Sequence, residues 1–224
     1  ANAMFGNAAS VLVGDFLYSR AFQMMVDAGN MRIMQILADA TNVIAEGEVL
    51  QLMNMHDASL DEEGYLRVIR SKTAKLFEAS ARLGAVLAGA PEPVEEACAD
   101  YGQSLGTAFQ VIDDVLDYAG DPAEMGKNLG DDLREGKATL PLILAMQRGT
   151  PEESGLVRGA IEHGDTEHLA QIGQIVQRTG ALDGTRALAA QQAERAIAAT
   201  AQLPQNNYSA SLIELAAQLL QRRS

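Results

Sequence analysis

Apolar residues recur at helical spacing along almost the whole chain. The second predicted helix shows this best, because one of its faces carries Ile33, Ile36, Leu37, Ala40 and Ile44. The alternation of Val, Ile and Thr that is typical of β-strands is scarce, whereas Ala, Leu, Gln, Glu and Met are abundant. The pattern therefore predicts an all-α protein.

Caps and helix breakers predict where the helices begin and end. The first two helices are expected over residues 7–28 and 31–55, separated by Gly29-Asn30. Ser59 and Glu62 fit a capping box that opens a third helix, to about residue 90. A fourth helix is predicted from Pro91 to the aspartates near 117. Two more are predicted to begin at Leu140, with Thr139 as cap, and at a capping box on Thr150. The last three are predicted over 165–178, 181–201 and 208–221. No linker or repeat divides residues 1–224, so we expect one domain.

Three carboxylates crowd the end of the fourth predicted helix. Asp113, Asp114 and Asp117 precede the stop signal Gly120-Asp121-Pro122. Like charges four residues apart cost roughly 0.2–0.5 kcal/mol, and the negative end of the helix dipole adds a similar penalty. Sequences selected for stability alone place Lys or Arg there. The cluster therefore indicates a bound cation, and oxygen ligands suit Mg²⁺ or Mn²⁺.

Composition and charge narrow the possible functions. The chain has 224 residues, 47% of them hydrophobic, and a net charge of −13, which argues against nucleic acid as a partner. An anionic substrate would need local cations. The single cysteine, Cys98, excludes an internal disulfide or a multi-cysteine zinc site. No apolar run is long enough to predict a membrane span. Three histidines lack ligand spacing and are expected to be solvated: His56, His163 and His168.

A charged, glycine-rich segment follows the aspartate cluster. It carries Lys127, Asp131, Asp132 and Lys137. We interpret it as a loop that brings carboxylates and ammonium groups to one metal-and-anion site. An exposed charged loop is the alternative, and the charges alone do not separate the two. A P-loop is excluded because five residues, not four, separate the relevant glycines, and an EF-hand because Tyr118 stands where glycine is required.

Two further positions are candidates for binding an anion. Lys72 and Thr73 lie within the third predicted helix beside apolar residues, so the ammonium group is expected near a helix-lined cavity. A surface lysine with a snorkelling side chain is the alternative. Gln110 lies one turn before Asp114, where its amide could bind an anion or fill the core.

These motifs together resemble the trans-isoprenyl (polyprenyl) diphosphate synthases. The resemblance rests on Phe-Gln before Asp-Asp-Val-Leu-Asp at 113–117, Gly-Lys-Asn-Leu-Gly-Asp-Asp at 126–132, Glu-Gly-Lys-Ala-Thr-Leu-Pro at 135–141 and Lys-Thr-Ala at 72–74. It covers essentially the whole chain, in order. In detail the chain is most similar to bacterial octaprenyl-type synthases, which make quinone side chains.

The resemblance implies an all-α isoprenoid synthase fold, an antiparallel helix bundle around a central cavity. It also implies a cytoplasmic homodimer that uses Mg²⁺ to condense isopentenyl diphosphate onto an allylic diphosphate, as in ubiquinone biosynthesis. The site residues that it implies fall into three groups. Asp113, Asp114 and Asp117 would bind metal; Lys72, Lys127 and Lys137 would neutralise the diphosphate, with Thr73 and Gln110 beside the reacting end; Asp131 and Asp132 would act through water.

The sequence also departs from the family pattern. A first aspartate-rich motif with paired arginines and an earlier Gly-Gly-Lys-Arg segment are typical of the family, and neither occurs in the printed sequence. We therefore expect that the N-terminal third is missing and that this chain alone is inactive. A non-catalytic partner subunit and a terpene cyclase are the alternatives. The absence of Trp and an aromatic content of 4% favour a linear product over a cyclised one.

Overall fold

The structure is a computed structural model, and it describes residues 2–119 and 130–222. Within them the chain is helical and has no β-strand, which confirms the all-α prediction. The α-helices are α1 (Asn2–Asp27), α2 (Met31–Met53), α3 (Glu62–Ile69), α4 (Lys75–Leu87), α5 (Glu92–Ala119), α6 (Asp131–Arg134), α7 (Leu140–Arg148), α8 (Pro151–His163), α9 (Leu169–Arg178), α10 (Ala181–Ala199) and α11 (Asn207–Leu219). A π-helical turn, Arg70–Ala74, joins α3 to α4, and a 3₁₀ turn, Thr200–Gln202, follows α10.

The chain divides into two compact units, Ala1–Asp39 and Ala40–Ser224. The first contains α1 and the start of α2, and α1 bends at Gly6, where φ is +80°. Large apolar side chains of α1, such as Leu12 and Phe16, are exposed. The expectation of a single domain stays a prediction.

In the second unit, α5 is the central helix. It packs along α4 on one side and α10 on another, and it also contacts the π-helical turn. The core around its C-terminal half is aliphatic and includes Val111, Val115, Leu142 and Ile161. These side chains fix the orientation of the helix, and its polar residues at 110, 113, 114 and 117 line one cavity beside this core.

Glycines let neighbouring helices approach the π-helical turn closely. A Cβ on Gly106 of α5 would lie 2.7 Å from Cα of Ala74, and a Cβ on Gly47 of α2 would lie 2.7 Å from the backbone nitrogen of Lys72. Both distances are far below a normal van der Waals contact. The two glycines therefore allow α2 and α5 to hold the turn that carries Lys72 and Thr73 between them.

Several predicted helix ends differ from those observed. The prediction that Ser59 caps α3 is wrong: Asp61 is the N-cap and accepts a hydrogen bond from the Gly64 N–H, whereas the Ser59 hydroxyl donates to Asp57. Asp61 is adjacent to the first helical residue, so its carboxylate reaches the free N–H groups directly. The predicted third helix is interrupted by the π-helical turn.

Other predicted ends agree with the structure. The capping box at Thr150 is present, with Glu153 as its partner. Thr139 is the N-cap residue of α7 but its hydroxyl makes no capping hydrogen bond. No described helix combines the length and apolar character needed to cross a membrane.

Candidate functional site

A cavity of about 390 Å³ lies within the second unit. Side chains from α2, α3, the π-helical turn, α5, α6 and the segment before α7 line it. All but one of the candidate site residues are among them: Lys72, Thr73, Gln110, Asp113, Asp114, Asp117, Asp131, Asp132 and Lys137. The exception, Lys127, lies outside the described residues. The structure thus brings together residues that are up to 65 positions apart in the sequence, from Lys72 to Lys137.

Lys72 lies on the π-helical turn and is tied to α2. Its Nζ atom lies 3.1 Å from a carboxylate oxygen of Glu48 and donates a hydrogen bond of 3.2 Å to the Gln51 side-chain oxygen. The lysine side chain is 30% exposed and that of Glu48 is 52% exposed. The ammonium group therefore lies on the cavity wall, held by a pair that solvent can reach.

A continuous chain of hydrogen bonds runs through the cavity wall. The Thr73 hydroxyl donates to the Gln110 side-chain oxygen at 3.1 Å, and the Gln110 amide donates to Asp114 Oδ1 at 2.8 Å. The Tyr65 hydroxyl donates to Asp114 Oδ2 at 2.7 Å. Both oxygens of Asp114 are therefore engaged by neutral donors.

Asp114 is a buried carboxyl in an acidic environment. Only 2% of the residue is exposed. Burial raises the pKa of Asp114 to about 7, and the charge of Asp132 adds to the effect, while the hydrogen bonds from Tyr65 and Gln110 oppose it. The carboxylate form of Asp114 is thus costly near neutral pH unless a nearby positive charge compensates it.

Asp117 lies one turn further along α5. Burial raises the pKa of Asp117 to about 6, helped by the charges of Asp132 and Asp131 and opposed by hydrogen bonds from the backbone N–H groups of those two residues. Its Oδ2 atom is buried and has no hydrogen-bond partner. Such an oxygen loses its solvation without compensation unless a cation or water binds it.

Asp113 faces the C-terminal end of the described chain. An Arg222 nitrogen lies 3.8 Å from its carboxylate, and the Arg222 guanidinium carbon lies 4.9 Å from the centre of the Phe109 ring. This cation–π geometry holds the arginine over α5. The sequence shows no periodic or motif signal for this contact.

Lys137 completes the cationic part of the cavity wall. Its Nζ atom lies 2.7 Å from Asp132 and 2.6 Å from Glu135. Burial by itself lowers the pKa of Lys137, but the hydrogen bonds and charges of Asp132 and Glu135 outweigh that effect and raise the pKa above its usual value. Lys137 is therefore fully charged at neutral pH.

The donor set fits a divalent cation shared with an anionic ligand. The buried, unpartnered oxygen of Asp117 and the hydroxyl of Thr139, both on the cavity wall, are oxygen donors suited to a hard ion and its waters. Among the described residues, however, no three His, Cys, Asp or Glu side chains are placed to hold a metal ion together. A cation bound here would therefore complete its coordination with water or with phosphate oxygens.

Sequence reasoning missed Tyr65, Glu48, Glu135 and Arg222. Helical periodicity offered a signal for Tyr65, because it lies seven residues, or about two helical turns, before Lys72. Glu48 and Glu135 each lie near other acidic residues in the sequence. Only their short distances to Lys72 and Lys137 in the structure distinguish them.

Known proteins are similar to this chain over nearly its whole length. The octaprenyl diphosphate synthase of Escherichia coli is 53% identical over 223 residues, which are 99% of this chain and 69% of that protein. An all-trans-nonaprenyl-diphosphate synthase (geranyl-diphosphate specific) from Rhodobacter capsulatus is 46% identical, over 99% of this chain and 68% of that protein. These coverages do not establish the expected absence of an N-terminal third, which stays a prediction.

Solved structures and a family model point the same way. The crystal structure of a polyprenyl synthase from Caulobacter crescentus, complexed with calcium and isoprenyl diphosphate, superposes with a TM-score of 0.94 at 48% identity. It matches 100% of this chain and 69% of that one, so the fold is the all-α isoprenoid synthase fold. The family model for polyprenyl synthetase matches residues 1–179. The chain therefore belongs to the polyprenyl synthetase family.

Proposed function

We propose that the chain is a trans-prenyltransferase that condenses isopentenyl diphosphate onto an allylic diphosphate, giving a long, linear polyprenyl diphosphate of the octaprenyl type. The observation that carries this proposal is the cavity wall, which combines the ammonium groups of Lys72 and Lys137 with the carboxylates of Asp113, Asp114 and Asp117. A diphosphate with a bridging cation needs this combination of positive groups and oxygen ligands.

Each group on the wall has a role in holding the allylic diphosphate. Lys72 and Lys137 neutralise its oxygens, and Lys127 joins them in this proposal. Asp113, Asp114 and Asp117 would hold Mg²⁺ or, in its place, Mn²⁺, and Asp131 and Asp132 would act through water. When bound, Mg²⁺ supplies positive charge that stabilises the departing diphosphate.

The reaction then needs orientation and exclusion of water more than it needs a nucleophilic side chain. The C–O bond to diphosphate breaks, and the alkene of isopentenyl diphosphate attacks the allylic cation to form the new C–C bond. A proton is then lost to the released diphosphate, which regenerates an alkene. Thr73 and Gln110, linked at 3.1 Å, face the cavity beside the reacting end. Tyr65 is the one aromatic side chain among the described lining residues, which favours a linear product over cyclisation.

The proposal extends to the setting of the enzyme. The family resemblance supports a homodimer in the cytoplasm that makes the side chain of ubiquinone. We further propose that the isolated chain turns over slowly or not at all, because the printed sequence carries one aspartate-rich motif where the family pattern has two.

Binding of an unreactive substrate analogue tests the proposal independently of turnover. We expect farnesyl thiodiphosphate to bind the purified chain in the presence of Mg²⁺, measured by calorimetry, and to bind far more weakly in EDTA. Asp117→Asn should reduce the Mg²⁺-dependent part, whereas Asp100→Asn, at an exposed position of the same helix, should not. The proposal would be contradicted if the analogue did not bind. It would also be contradicted if its affinity changed neither with Mg²⁺ nor with Asp117→Asn.

A further inference from the structure

We infer that Tyr65 is a positioning residue that fixes the carboxylate of Asp114 and, through it, the spacing between Lys72 and the aspartates of α5. The inference rests on the proposed function, because it concerns how the same cavity holds a cation and a diphosphate. It assigns a role to a side chain on α3 that no sequence motif singled out.

The contact is buried and specific. Tyr65 is 4% exposed and Asp114 is 2% exposed, and their side chains meet at 2.7 Å across 49 residues of sequence. With the Gln110 amide at 2.8 Å on the other oxygen, the plane of the Asp114 carboxylate is determined by two donors. The carboxylate has little freedom to rotate, and neither of its oxygens is left without a partner.

The arrangement differs from that of an ordinary buried tyrosine. Tyr101 is also buried in this unit, and its hydroxyl donates a hydrogen bond of 2.9 Å to the backbone carbonyl of Leu212. That bond satisfies a polar group at no electrostatic cost. Tyr65 instead donates to a carboxyl that lies near Asp113 and Asp132, where the fold gains nothing from another negative charge. Function at this cavity gives a reason for the Tyr65–Asp114 pair.

The pair also joins two structural elements of the site. Tyr65 lies before Lys72 in sequence and Thr73 lies directly after it, and both are connected by side-chain hydrogen bonds to α5, at Asp114 and Gln110 respectively. These two connections bracket the lysine. The backbone that carries Lys72 is therefore held against α5 at one position before the lysine and at one position after it.

The hydrogen bonds orient Asp114 without preventing it from binding a cation. Each Asp114 oxygen accepts one hydrogen bond, from Tyr65 or from Gln110, and keeps a further lone pair for a cation. Asp114 can therefore act with Asp113 and with the unpartnered Oδ2 of Asp117. Mutation of a residue that hydrogen-bonds to a metal ligand and orients it typically changes metal affinity by about 10- to 100-fold.

Removal of the tyrosine hydroxyl tests the inference. The probe is Mg²⁺ titrated into the full chain with saturating inorganic pyrophosphate, followed by calorimetry, with urea unfolding measured in parallel. Tyr65→Phe should weaken Mg²⁺ binding by about 10-fold. The matched control Tyr101→Phe loses a buried hydroxyl of the same kind, so it should lose stability and leave Mg²⁺ affinity unchanged.

A double-mutant cycle separates positioning from general destabilisation. In an Asp114→Asn background, Tyr65→Phe should cause no further loss of Mg²⁺ affinity, because the group that it positions has been changed. If Tyr65→Phe does not fold, Thr73→Val breaks the same chain of hydrogen bonds at its far end. It should weaken Mg²⁺ binding in the wild-type background and not in the Asp114→Asn background.

The outcomes distinguish the inference from the function on which it rests. The positioning role would be overturned if Tyr65→Phe bound Mg²⁺ as tightly as the wild type. It would also be overturned if the losses of Mg²⁺ affinity in Tyr65→Phe and Asp114→Asn simply added in the double mutant. In either case, Mg²⁺-dependent pyrophosphate binding by the wild-type chain would still support the site. Absence of that binding in the wild-type chain would overturn the proposed function, and the inference with it.

Discussion

The Nζ atom of Lys137 lies 2.7 Å from the Asp132 carboxylate, on the wall of the cavity that also holds the aspartates of α5. The two side chains are only 24% and 25% exposed. The pair keeps a charged ammonium group in a partly buried position. In the proposed function this group exchanges the carboxylate for a phosphate oxygen of the ligand. This arrangement leads to the first prediction.

We predict that Lys137→Gln weakens Mg²⁺-dependent pyrophosphate binding by about 10-fold, since one charge-assisted hydrogen bond to the anion is lost. Isothermal calorimetry measures the effect. The control is Lys75→Gln, which breaks a similar pair, with Glu78 at 2.8 Å, and does not line the cavity. Equal affinities for Lys137→Gln and the wild type would show that this ammonium group does not contact the anion.

The stability of the metal-free chain should fall between pH 5 and pH 8. The folded-state pKa values of Asp114 and Asp117, about 7 and about 6, lie above the unfolded value of 3.8. Their contribution to stability is therefore fully present below about pH 4 and is lost as the pH rises through the folded-state values. At 1.36 kcal/mol per pH unit, the Asp114 shift corresponds to roughly 4 kcal/mol in total, of which roughly 3 kcal/mol is lost between pH 5 and pH 8.

Urea unfolding in EDTA at the two pH values measures this effect. Asp114→Asn should reduce the difference in free energy of unfolding between pH 5 and pH 8, because the amide does not titrate. Asp100→Asn, exposed on the same helix, should leave the difference unchanged. A wild-type chain that is equally stable or more stable at pH 8 would contradict the prediction.

Glu48→Gln should tighten pyrophosphate binding by a factor of about 2 to 5, since the carboxylate that competes for Lys72 is removed while Gln51 still accepts its hydrogen bond. The free energy of unfolding should change by less than about 0.5 kcal/mol, as for other exposed ion pairs. Glu78→Gln, which releases Lys75 on α4, is the matched control. Weaker binding by Glu48→Gln would show that Glu48 holds Lys72 in its working position rather than competing for it.

Gly136→Ala should destabilise the fold and impair binding together. Gly136 has φ +74°, and a Cβ there would lie 2.3 Å from the His56 imidazole. We expect a loss of about 2–3 kcal/mol in the free energy of unfolding, from a left-handed backbone plus a steric clash. Gly89→Ala has φ +64° but no atom within 4 Å of its Cβ, so it should show the backbone cost alone.

The binding readout completes this comparison. Because Gly136 precedes Lys137, only Gly136→Ala should also weaken pyrophosphate binding. If Gly89→Ala costs as much stability as Gly136→Ala, the contact with His56 has no influence on the turn.

The contacts of His56 could not be predicted from the local sequence. The prediction that it is only solvated is incomplete, because its exposed side chain lies 3.1 Å from the Ile161 carbonyl and its backbone N–H donates to the Gly136 carbonyl at 2.7 Å. Its partners lie 80 or more residues away in the sequence, and no local pattern connects them. The π-helical turn at Arg70–Ala74 was missed for a similar reason. Its residues have the sequence pattern of an ordinary helix, and its close packing against Gly47 of α2 and Gly106 of α5 involves residues distant in the sequence.

The sequence by itself determined the helical character, most helix ends and the crowding of acidic residues at the end of α5, because these depend on period, caps and charge between near neighbours. Only the tertiary structure decided that Lys72 pairs with Glu48, that Lys137 lies between Asp132 and Glu135, and that Tyr65 engages Asp114. It also decided which aspartates are buried, and therefore which pKa values rise. Burial and contacts between distant segments arise when helices pack, and the spacing of residues along one helix does not contain them.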